Sequence, residues 1–214
     1  MALHMKVNPQ DPEDRVLVLA AEVLQAGGIV VYPTETLYGI GANAWNAQAV
    51  RKVRALKGRG QDKPILVVVH DLDMVRGLTT EISLEAQVLM RALWPGPLTL
   101  VFPAAHDVPV ELTAGTGTIG IRIPSSAMSV SLARFCGYPL TSTSANPSGD
   151  TSHSTIAQIE AALGPGVDLY LDAGLLPPSP PSTVVDVSVS PPRLLREGAV
   201  PKERVITLVP SLQR

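Results

Sequence analysis

Apolar residues recur along the chain with two alternating periods. The helical spacing of "DRVLVLAAEVLQAGG", Asp14–Gly28, predicts a helix that ends on glycines. Aliphatic runs such as "IVVYP" and "PILVVVH" predict buried strands, and "NAQAVRKVRALKGR" predicts an amphipathic helix opened by Asn46. The alternation continues through "SLEAQVLMRALW", "LTLVF", "GTIGIRIP", "SVSLARFCG", "PLTSTSAN", "TIAQIEAALG", "VDLYLDAG", "STVVDVSV" and "PRLLREG". Buried strands separated by helices predict an α/β (α+β) fold with a mixed sheet.

The chain shows one break in composition and no internal repeat. The break is "LLPPSPPS", Leu175–Ser182, which is too short to link domains and predicts a stiff, exposed loop. We treat the opening "MALH" as an extension left by cloning and leave it out of the fold. The 214 residues are enough for a substantial core, so we predict a single domain.

Composition excludes several classes of protein. Hydrophobic residues make up 45% and charged residues 17%, as in a globular chain. A net charge of −2 argues against non-specific coating of nucleic acid. No apolar run approaches the ~20 residues of a membrane span, and no signal peptide is apparent, so we expect a cytoplasmic protein without a membrane partner. The single cysteine, Cys136, and scattered histidines exclude a disulfide and argue against a metal site.

A cationic segment is the first candidate for chemistry. "RKVRALKGRGQDK" carries six basic residues and a single acid, which predicts a focus for an anion. We predict that Lys57, Arg59 and Lys63 lie past the helix end, in a glycine-containing loop. The alternative is a solvated cationic helix terminus, which the helix dipole favours.

Hydroxyl groups cluster where strands end. "VYPTETLYGIG" places Thr34, Glu35 and Thr36 where a plain turn needs only Gly, Pro, Asn or Asp. "PLTSTSANPSG" offers four consecutive hydroxyls after an apolar pair, suited to a phosphate or an adenylate, although such groups also satisfy local turns. Arg122 lies mid-strand, where it needs an anionic ligand or, alternatively, a structural ion pair.

The standard nucleotide and nucleophile signatures are missing. The sequence has no Walker-type loop, no complete dinucleotide fingerprint, no nucleophile elbow and no kinase motifs. The remaining groups are hydroxyls, amides and cations. Such a site binds anions and positions reactants.

Several segments together resemble the threonylcarbamoyl-AMP synthases of the YrdC/Sua5 family. In order they are "GGIVVYPTETLYGIG", "ALKGRGQDKPILVVV", "WPGPLTLVF", "GTIGIRIP", "PLTSTSANPSGD", "STVVD" and "LLREG", covering roughly Ala21 to Val200. The resemblance implies the short, single-domain form, with a twisted mixed sheet and flanking helices around a deep, positively charged cavity. It implies an N-terminal segment at 1–20, a catalytic domain at 14–205 and a tail at 206–214.

The family condenses L-threonine, bicarbonate and ATP to threonylcarbamoyl-AMP and pyrophosphate, for threonylcarbamoyladenosine in tRNA. The resemblance therefore implies a nucleotidyltransferase that uses Mg2+ with ATP and supplies a downstream tRNA threonylcarbamoyl transferase machinery, with a weak tRNA contact. The implied threonine-binding residues are Thr34, Thr36, Arg122, Ser142 and Ser182. The implied catalytic residues are Lys57 and Arg59, and the implied ATP-binding residues are Lys57, Arg59, Lys63, Thr118, Ser144, Asn146, Ser152 and Arg196.

The sequence departs from the family pattern at two positions. Val68 stands where many relatives carry histidine, and His70 lies two residues on; Pro181 stands where glutamate is common. Two other functions remain open. One is a carbamoyl-adenylate-forming domain of the hydrogenase-maturation type, which belongs to longer chains with zinc motifs. The other is a non-catalytic RNA-binding or ribosome-assembly module that uses the Arg51–Lys63 face.

Overall fold

Helices and strands alternate along the chain, as the apolar pattern predicts. The computed structural model describes residues 2–60, 62–150 and 153–213. Its helices are α1 (Asp14–Gln25), α2 (Ala47–Lys57), α3 (Leu72–Leu78), α4 (Leu84–Leu93), α5 (Val110–Thr113), α6 (Ala127–Cys136), α7 (Ile156–Leu163) and α8 (Lys202–Leu208). Its strands are β1 (Leu3–Lys6), β2 (Val30–Pro33), β3 (Tyr38–Gly41), β4 (Val67–Val68), β5 (Leu98–Pro103), β6 (Thr118–Arg122), β7 (Leu140–Thr141), β8 (Thr143–Ser144), β9 (Leu169–Asp172), β10 (Thr183–Asp186) and β11 (Arg193–Arg196).

The strands form two mixed sheets. One has the order β1-β9-β2-β3-β8 and the other the order β11-β10-β5-β6-β4-β7. Parallel pairs such as β5 with β10 adjoin antiparallel pairs such as β5 with β6. The predicted α/β class with mixed sheets and flanking helices is confirmed, although the strands divide between two sheets.

Strand β2 separates two hydrophobic cores. All four of its residues are buried. Val31 packs in the larger core, whereas Val30 and Tyr32 pack in the smaller core with α1 and α6. Successive side chains of a strand point to opposite faces, so a continuous apolar run is what a strand covered on both faces requires.

Helix α2 begins and ends on signals that the sequence carries. Asn46 caps it, because its side chain accepts hydrogen bonds from the N–H groups of Gln48 and Ala49 at 3.0 and 3.1 Å. Gly58 ends it in the left-handed conformation, with φ of 55°, where a glycine avoids the strain of a side chain. The predicted opening of this helix at Asn46 is confirmed.

Both ends of the chain differ from the expectation. Leu3–Lys6, including part of the segment left out of the fold, is β1 and runs parallel to β9. Helix α8 crosses the boundary expected at residue 205 and buries Val205. The short helices α3 and α5 were not predicted either. Within the described ranges, no helix is both long and apolar enough to cross a membrane.

Candidate functional site

Strand ends from both sheets meet around a cavity of about 180 Å³. The turn after β2, the ends of β6 and β11, the start of β10 and the loop after α2 all contribute to its lining. Most of the predicted site residues line it, namely Thr34, Thr36, Arg59, Arg122, Ser142, Ser144, Ser182 and Arg196. Residues far apart in the sequence, predicted for one site, therefore lie together.

The turn after β2 is held by the hydroxyl of Thr34. Thr34 Oγ1 accepts hydrogen bonds from the N–H groups of Thr36 and Leu37, each at 3.1 Å, and donates to the Leu37 carbonyl at 2.6 Å. Thr36 Oγ1 lies 3.1 Å from Thr34 Oγ1. Thr34 therefore shapes the turn. The Thr36 hydroxyl has a single hydrogen-bond contact among the described residues, with Thr34 Oγ1, and retains more capacity to bind a ligand. The prediction that both contact threonine stays a prediction.

Three arginines line this cavity, and each is oriented by a backbone carbonyl. Arg122 Nε donates to Gly96 O at 3.1 Å, and Arg59 Nη2 donates to Pro64 O at 2.7 Å. Arg196 donates to Ser182 O through Nε and Nη2, at 3.1 and 2.7 Å. Carbonyl groups carry no net charge, so these contacts fix the guanidinium groups without neutralising them, and Arg59 and Arg196 have no carboxylate partner among the described residues. Such an arrangement attracts an anion.

The pKa values of these cations reflect their crowding. Burial lowers the pKa of Arg59, and the nearby charges of Arg54 and Arg196 lower it further. Burial and the charge of Arg122 likewise lower the pKa of Arg196. An anion in the cavity would relieve this repulsion.

Arg122 forms an ion pair within the protein, which the sequence leaves open as the alternative to an anionic ligand. Its Nη2 lies against Glu35 Oε1, and the two side chains are 6% and 18% exposed. Glu35 Oε2 is buried without a hydrogen-bond partner among the described residues. The two functions of Arg122 are compatible, because the pair leaves donors unused.

The prediction that Lys57 lies past the helix end is wrong. Lys57 is the last residue of α2, and it is buried, with 3% of its surface exposed. Its Nζ donates to the carbonyls of Ser144 and Asn146, the latter at 2.6 Å. Burial, followed by the charge of Arg59, lowers its pKa to about 8. It does not line the cavity, so it supports the Ser144–Asn146 segment from behind.

The remaining basic residues of the segment are engaged elsewhere or exposed. Arg51 pairs with Glu111, Lys52 Nζ donates to Gly27 O at 2.7 Å, and Arg54 Nε donates to Glu111 O at 2.8 Å. Lys63 is exposed and lines neither this cavity nor its neighbour. Among the described residues of the cationic segment, Arg59 alone lines the cavity.

A second cavity, of about 390 Å³, adjoins the first and shares Arg59, Leu66, Thr143 and Arg196 with it. The predicted Thr118 lines this second cavity. Ser182 lies at the boundary, because its hydroxyl is 2.9 Å from that of Thr99, another lining residue. The site therefore has two compartments with two arginines between them.

Asn146 and Ser152 lie outside both linings for different reasons. The Asn146 amide nitrogen donates to the carbonyls of Pro147 and Asp150 at 3.0 and 2.7 Å, which holds the loop. Its Oδ1 is buried with no partner in the described structure. Ser152 lies outside the described residues.

A larger cavity, about 670 Å³, lies elsewhere and is lined by none of the predicted residues. His70 lines it, with Nε2 3.0 Å from Asp71 Oδ2. Val68 is buried in the smaller core. Neither Val68, which replaces the histidine of many relatives, nor His70 lines the arginine-lined cavity.

Sequence reasoning missed Thr99, and it singled out Glu35 and Thr143 without including them among the implied site residues. Thr99 and Thr143 face the cavities from strands, and Glu35 holds Arg122. Thr99 alternates with buried aliphatic neighbours in β5, a pattern that indicates a polar position on one face. Across residues 2–60, 62–150 and 153–213, no cluster of three His, Cys, Asp or Glu side chains is placed to hold a metal ion.

Comparisons with known proteins identify the family to which the chain belongs. The model of the Sua5/YciO/YrdC family, described as telomere recombination, matches residues 22–198. The chain is 33% identical to the threonylcarbamoyl-AMP synthase of Pyrococcus abyssi, covering 94% of the chain but only 59% of that relative. It is 36% identical to the enzyme of the same name from Thiobacillus denitrificans, covering 77% of the chain and 87% of that relative.

Among solved structures, P. abyssi Sua5 complexed with L-threonine superposes with a TM-score of 0.92 at 31% identity. The match covers 100% of this chain and 62% of that one. The chain thus spans about three fifths of the long archaeal proteins and most of the shorter bacterial one. It belongs to the Sua5/YciO/YrdC family.

Proposed function

We propose that the chain is an L-threonylcarbamoyladenylate synthase, which condenses L-threonine, bicarbonate and ATP to threonylcarbamoyl-AMP and pyrophosphate. The observation that carries the proposal is the cavity where Arg59, Arg122 and Arg196 meet the hydroxyls of the predicted threonine site. The relatives named threonylcarbamoyl-AMP synthase and the threonine complex of P. abyssi Sua5 support it.

The smaller compartment suits the amino acid. Arg122 would bind the threonine carboxylate, because a guanidinium presents two parallel N–H donors to a carboxylate. Thr36, Ser142 and Ser182 line the same cavity and offer hydroxyls to the threonine side chain. A volume of about 180 Å³ leaves room for one small molecule.

The larger compartment suits the nucleotide. Arg59 and Arg196 line both compartments, so they would contact the phosphates at the junction. Thr99, Thr116 and Thr118 line the far part, where they would face the nucleoside. Ser144 lies at the end of β8 on the threonine side of the junction.

The chemistry requires positioning and charge neutralisation. The threonine amine and bicarbonate form a carbamate with loss of water, and a carbamate oxygen attacks the α-phosphorus of ATP. The bond to the β-phosphate oxygen breaks, and pyrophosphate leaves with its electron pair. The arginines hold both anions together and stabilise the charge that builds up on the phosphates. Because the described residues form no metal cluster, we propose that Mg2+ enters with ATP, and no step depends on a protein ligand to it.

The test is which substrates must be present together. Pyrophosphate release should require both L-threonine and bicarbonate, because the attacking oxygen belongs to a carbamate made from both. The assay strips dissolved carbon dioxide, follows pyrophosphate and then restores bicarbonate. Threonine-dependent release that persists unchanged in the stripped buffer would contradict the proposal.

The same assay separates the other functions. A carbamoyl-adenylate-forming domain would need carbamoyl phosphate and ignore threonine, and an RNA-binding module would release no pyrophosphate in any mixture. Arg51, Lys52 and Arg54 are engaged in contacts within the fold, which argues against the RNA-binding alternative. We propose that the product passes to a tRNA threonylcarbamoyl transferase machinery in the cytoplasm.

A further inference from the structure

Glu35 lies between two residues that line the cavity, yet it does not line the cavity itself. Thr34 and Thr36 face the cavity, and the Glu35 carboxylate turns to Arg122. Its Oε1 also accepts a hydrogen bond from the N–H of Ser125 at 3.0 Å. The carboxylate is therefore fixed between a backbone donor and the guanidinium.

The contacts of Arg122 lie on one side of its guanidinium group. Nε donates to Gly96 O at 3.1 Å, and Nη2 lies against Glu35. Nη1 has no hydrogen-bond partner in the part of the chain that the structure describes, and Arg122 lines the cavity. A guanidinium has five N–H donors in a planar fork, so the Nη1 end of its terminal edge remains available to a second carboxylate.

A purely structural ion pair does not account for this arrangement. Buried ions recover the cost of leaving water only when their remaining donors and acceptors are also paired. Here the ion pair occupies Nη2 of Arg122, whereas Nη1 has no hydrogen-bond partner among the described residues and Arg122 lines the cavity. A ligand that supplies an acceptor would pair Nη1.

We propose that Glu35 is a positioning residue for the amino-acid substrate: it holds the Arg122 guanidinium so that the Nη1 end of its terminal edge faces the threonine carboxylate. This role rests on the proposed function. Glu35 does not compete for the carboxylate position, because it approaches from the Ser125 side and is absent from the cavity lining.

The experiment measures binding of L-threonine by calorimetry to the wild type, Glu35→Ala and Glu35→Gln. Loss of an aligned, charge-assisted hydrogen bond should raise the Kd of Glu35→Ala about tenfold or more. Glu35→Gln keeps an oxygen for the Ser125 N–H but loses the charge, so its Kd should rise less. The Kd for ATP should stay within about twofold of the wild type in both.

Two controls separate positioning from general damage. L-Threoninamide lacks the carboxylate, so its weak binding should be the same in the wild type and Glu35→Ala. Glu111→Gln breaks an ion pair with Arg51 outside the cavity and should leave the Kd for threonine unchanged. If Glu35→Ala does not fold, Glu35→Gln decides by the same measurements.

The proposal is overturned if Glu35→Ala binds threonine as tightly as the wild type. Tighter binding would also overturn it, because it would show that Glu35 competes for Arg122. Equal losses for threonine, threoninamide and ATP would overturn it in favour of general damage. A wild type that binds no threonine would overturn the proposed function as well, whereas failure confined to the variants would leave that function standing.

Discussion

Lys57 and Arg59 are separated by a single residue but lie in different environments. Lys57 is buried at the end of α2 and donates to two carbonyls of the Ser144–Asn146 segment. Arg59 follows the left-handed Gly58 and lines both compartments of the cavity. The same charge therefore stabilises a loop in one case and faces the cavity in the other, and the position relative to the helix end decides which.

Helical periodicity explains the difference. The buried residues of α2 are Ala49, Val50, Val53 and Lys57, which lie on one face of the helix. Lys57 continues an apolar stripe, so its stem packs in the interior while its ammonium reaches carbonyls. A cation on a buried face should act on stability, and one beyond the helix end should act on the ligand.

The largest effect is expected from Lys57→Met. The change leaves two carbonyls without their donor, so the free energy of unfolding should fall by about 3 kcal/mol. Pyrophosphate release should fall as well, because the Ser144–Asn146 segment loses its support. Urea denaturation measures the first effect. Lys52→Met, on an exposed face of the same helix, is the matched control; an equal loss in both variants would contradict the structural role of Lys57.

Arg59→Met should have the reverse profile. Loss of a charged contact to phosphate weakens use of ATP by about ten- to a hundredfold, which is the worth of a hydrogen bond to a charged group. The free energy of unfolding should change by less than about 1 kcal/mol, because Arg59 donates only to carbonyls of its own loop. Steady-state kinetics and urea denaturation test both parts, with Arg51→Met as control. Unchanged ATP kinetics with a large loss of stability would show that Arg59, like Lys57, has a structural role.

The pH dependence of the unfolding free energy should differ between the wild type and Lys57→Met. The pKa of Lys57 is about 8 in the folded chain and ordinarily 10.5, so between these values the unfolded chain binds more protons. Stability of the wild type should therefore rise with pH across this window. Relative to Lys57→Met, the gain from pH 8 to 10 should be at most about 2 kcal/mol. Other groups titrate in both proteins, so their difference isolates Lys57, and a flat difference would show that its ammonium is not destabilised by burial.

The smallest effect is expected from Lys63→Met. Lys63 is exposed and lines neither compartment, so unfolding free energy should change by less than about 0.5 kcal/mol. Use of ATP should change by less than about twofold, because an exposed charge is screened by salt. The measurement is the KM for ATP at low and high ionic strength. A tenfold rise in KM would restore the phosphate contact that the sequence alone predicts.

Local signals predicted most of the elements and several of the site residues. Asn46 and Gly58 mark α2 because a side-chain cap and a left-handed residue act within one turn. Strand ends were also readable, so Thr34, Arg122, Ser182 and Arg196 were assigned to one site through the family motifs. The contacts of these residues depend on backbone that is distant in the sequence, so no local sequence pattern predicts them.

Three examples show this limit. The partners of Lys57 are carbonyls almost ninety positions away, at Ser144 and Asn146. Glu35 meets Ser125 and Arg122 only because the turn after β2 packs beside the end of β6. β1 was not predicted because "MALH" was left out of the fold, and its partner β9 lies more than 160 positions away, where no local pattern indicates the pairing.

The residues that line the cavity are widely separated in the sequence, and this separation determines when a ligand can first bind during synthesis. Its lining begins at Thr34 and is completed by Arg196 in β11, which pairs with β10. At about 5–20 residues per second, the ribosome adds the last cation of the site only when most of the chain has been made. A nascent chain shorter than this lacks Arg196, one of the two arginines shared by both compartments. Ligands stabilise only the folded state they bind, so a ligand of this cavity should protect the protein only after residue 196 has been made.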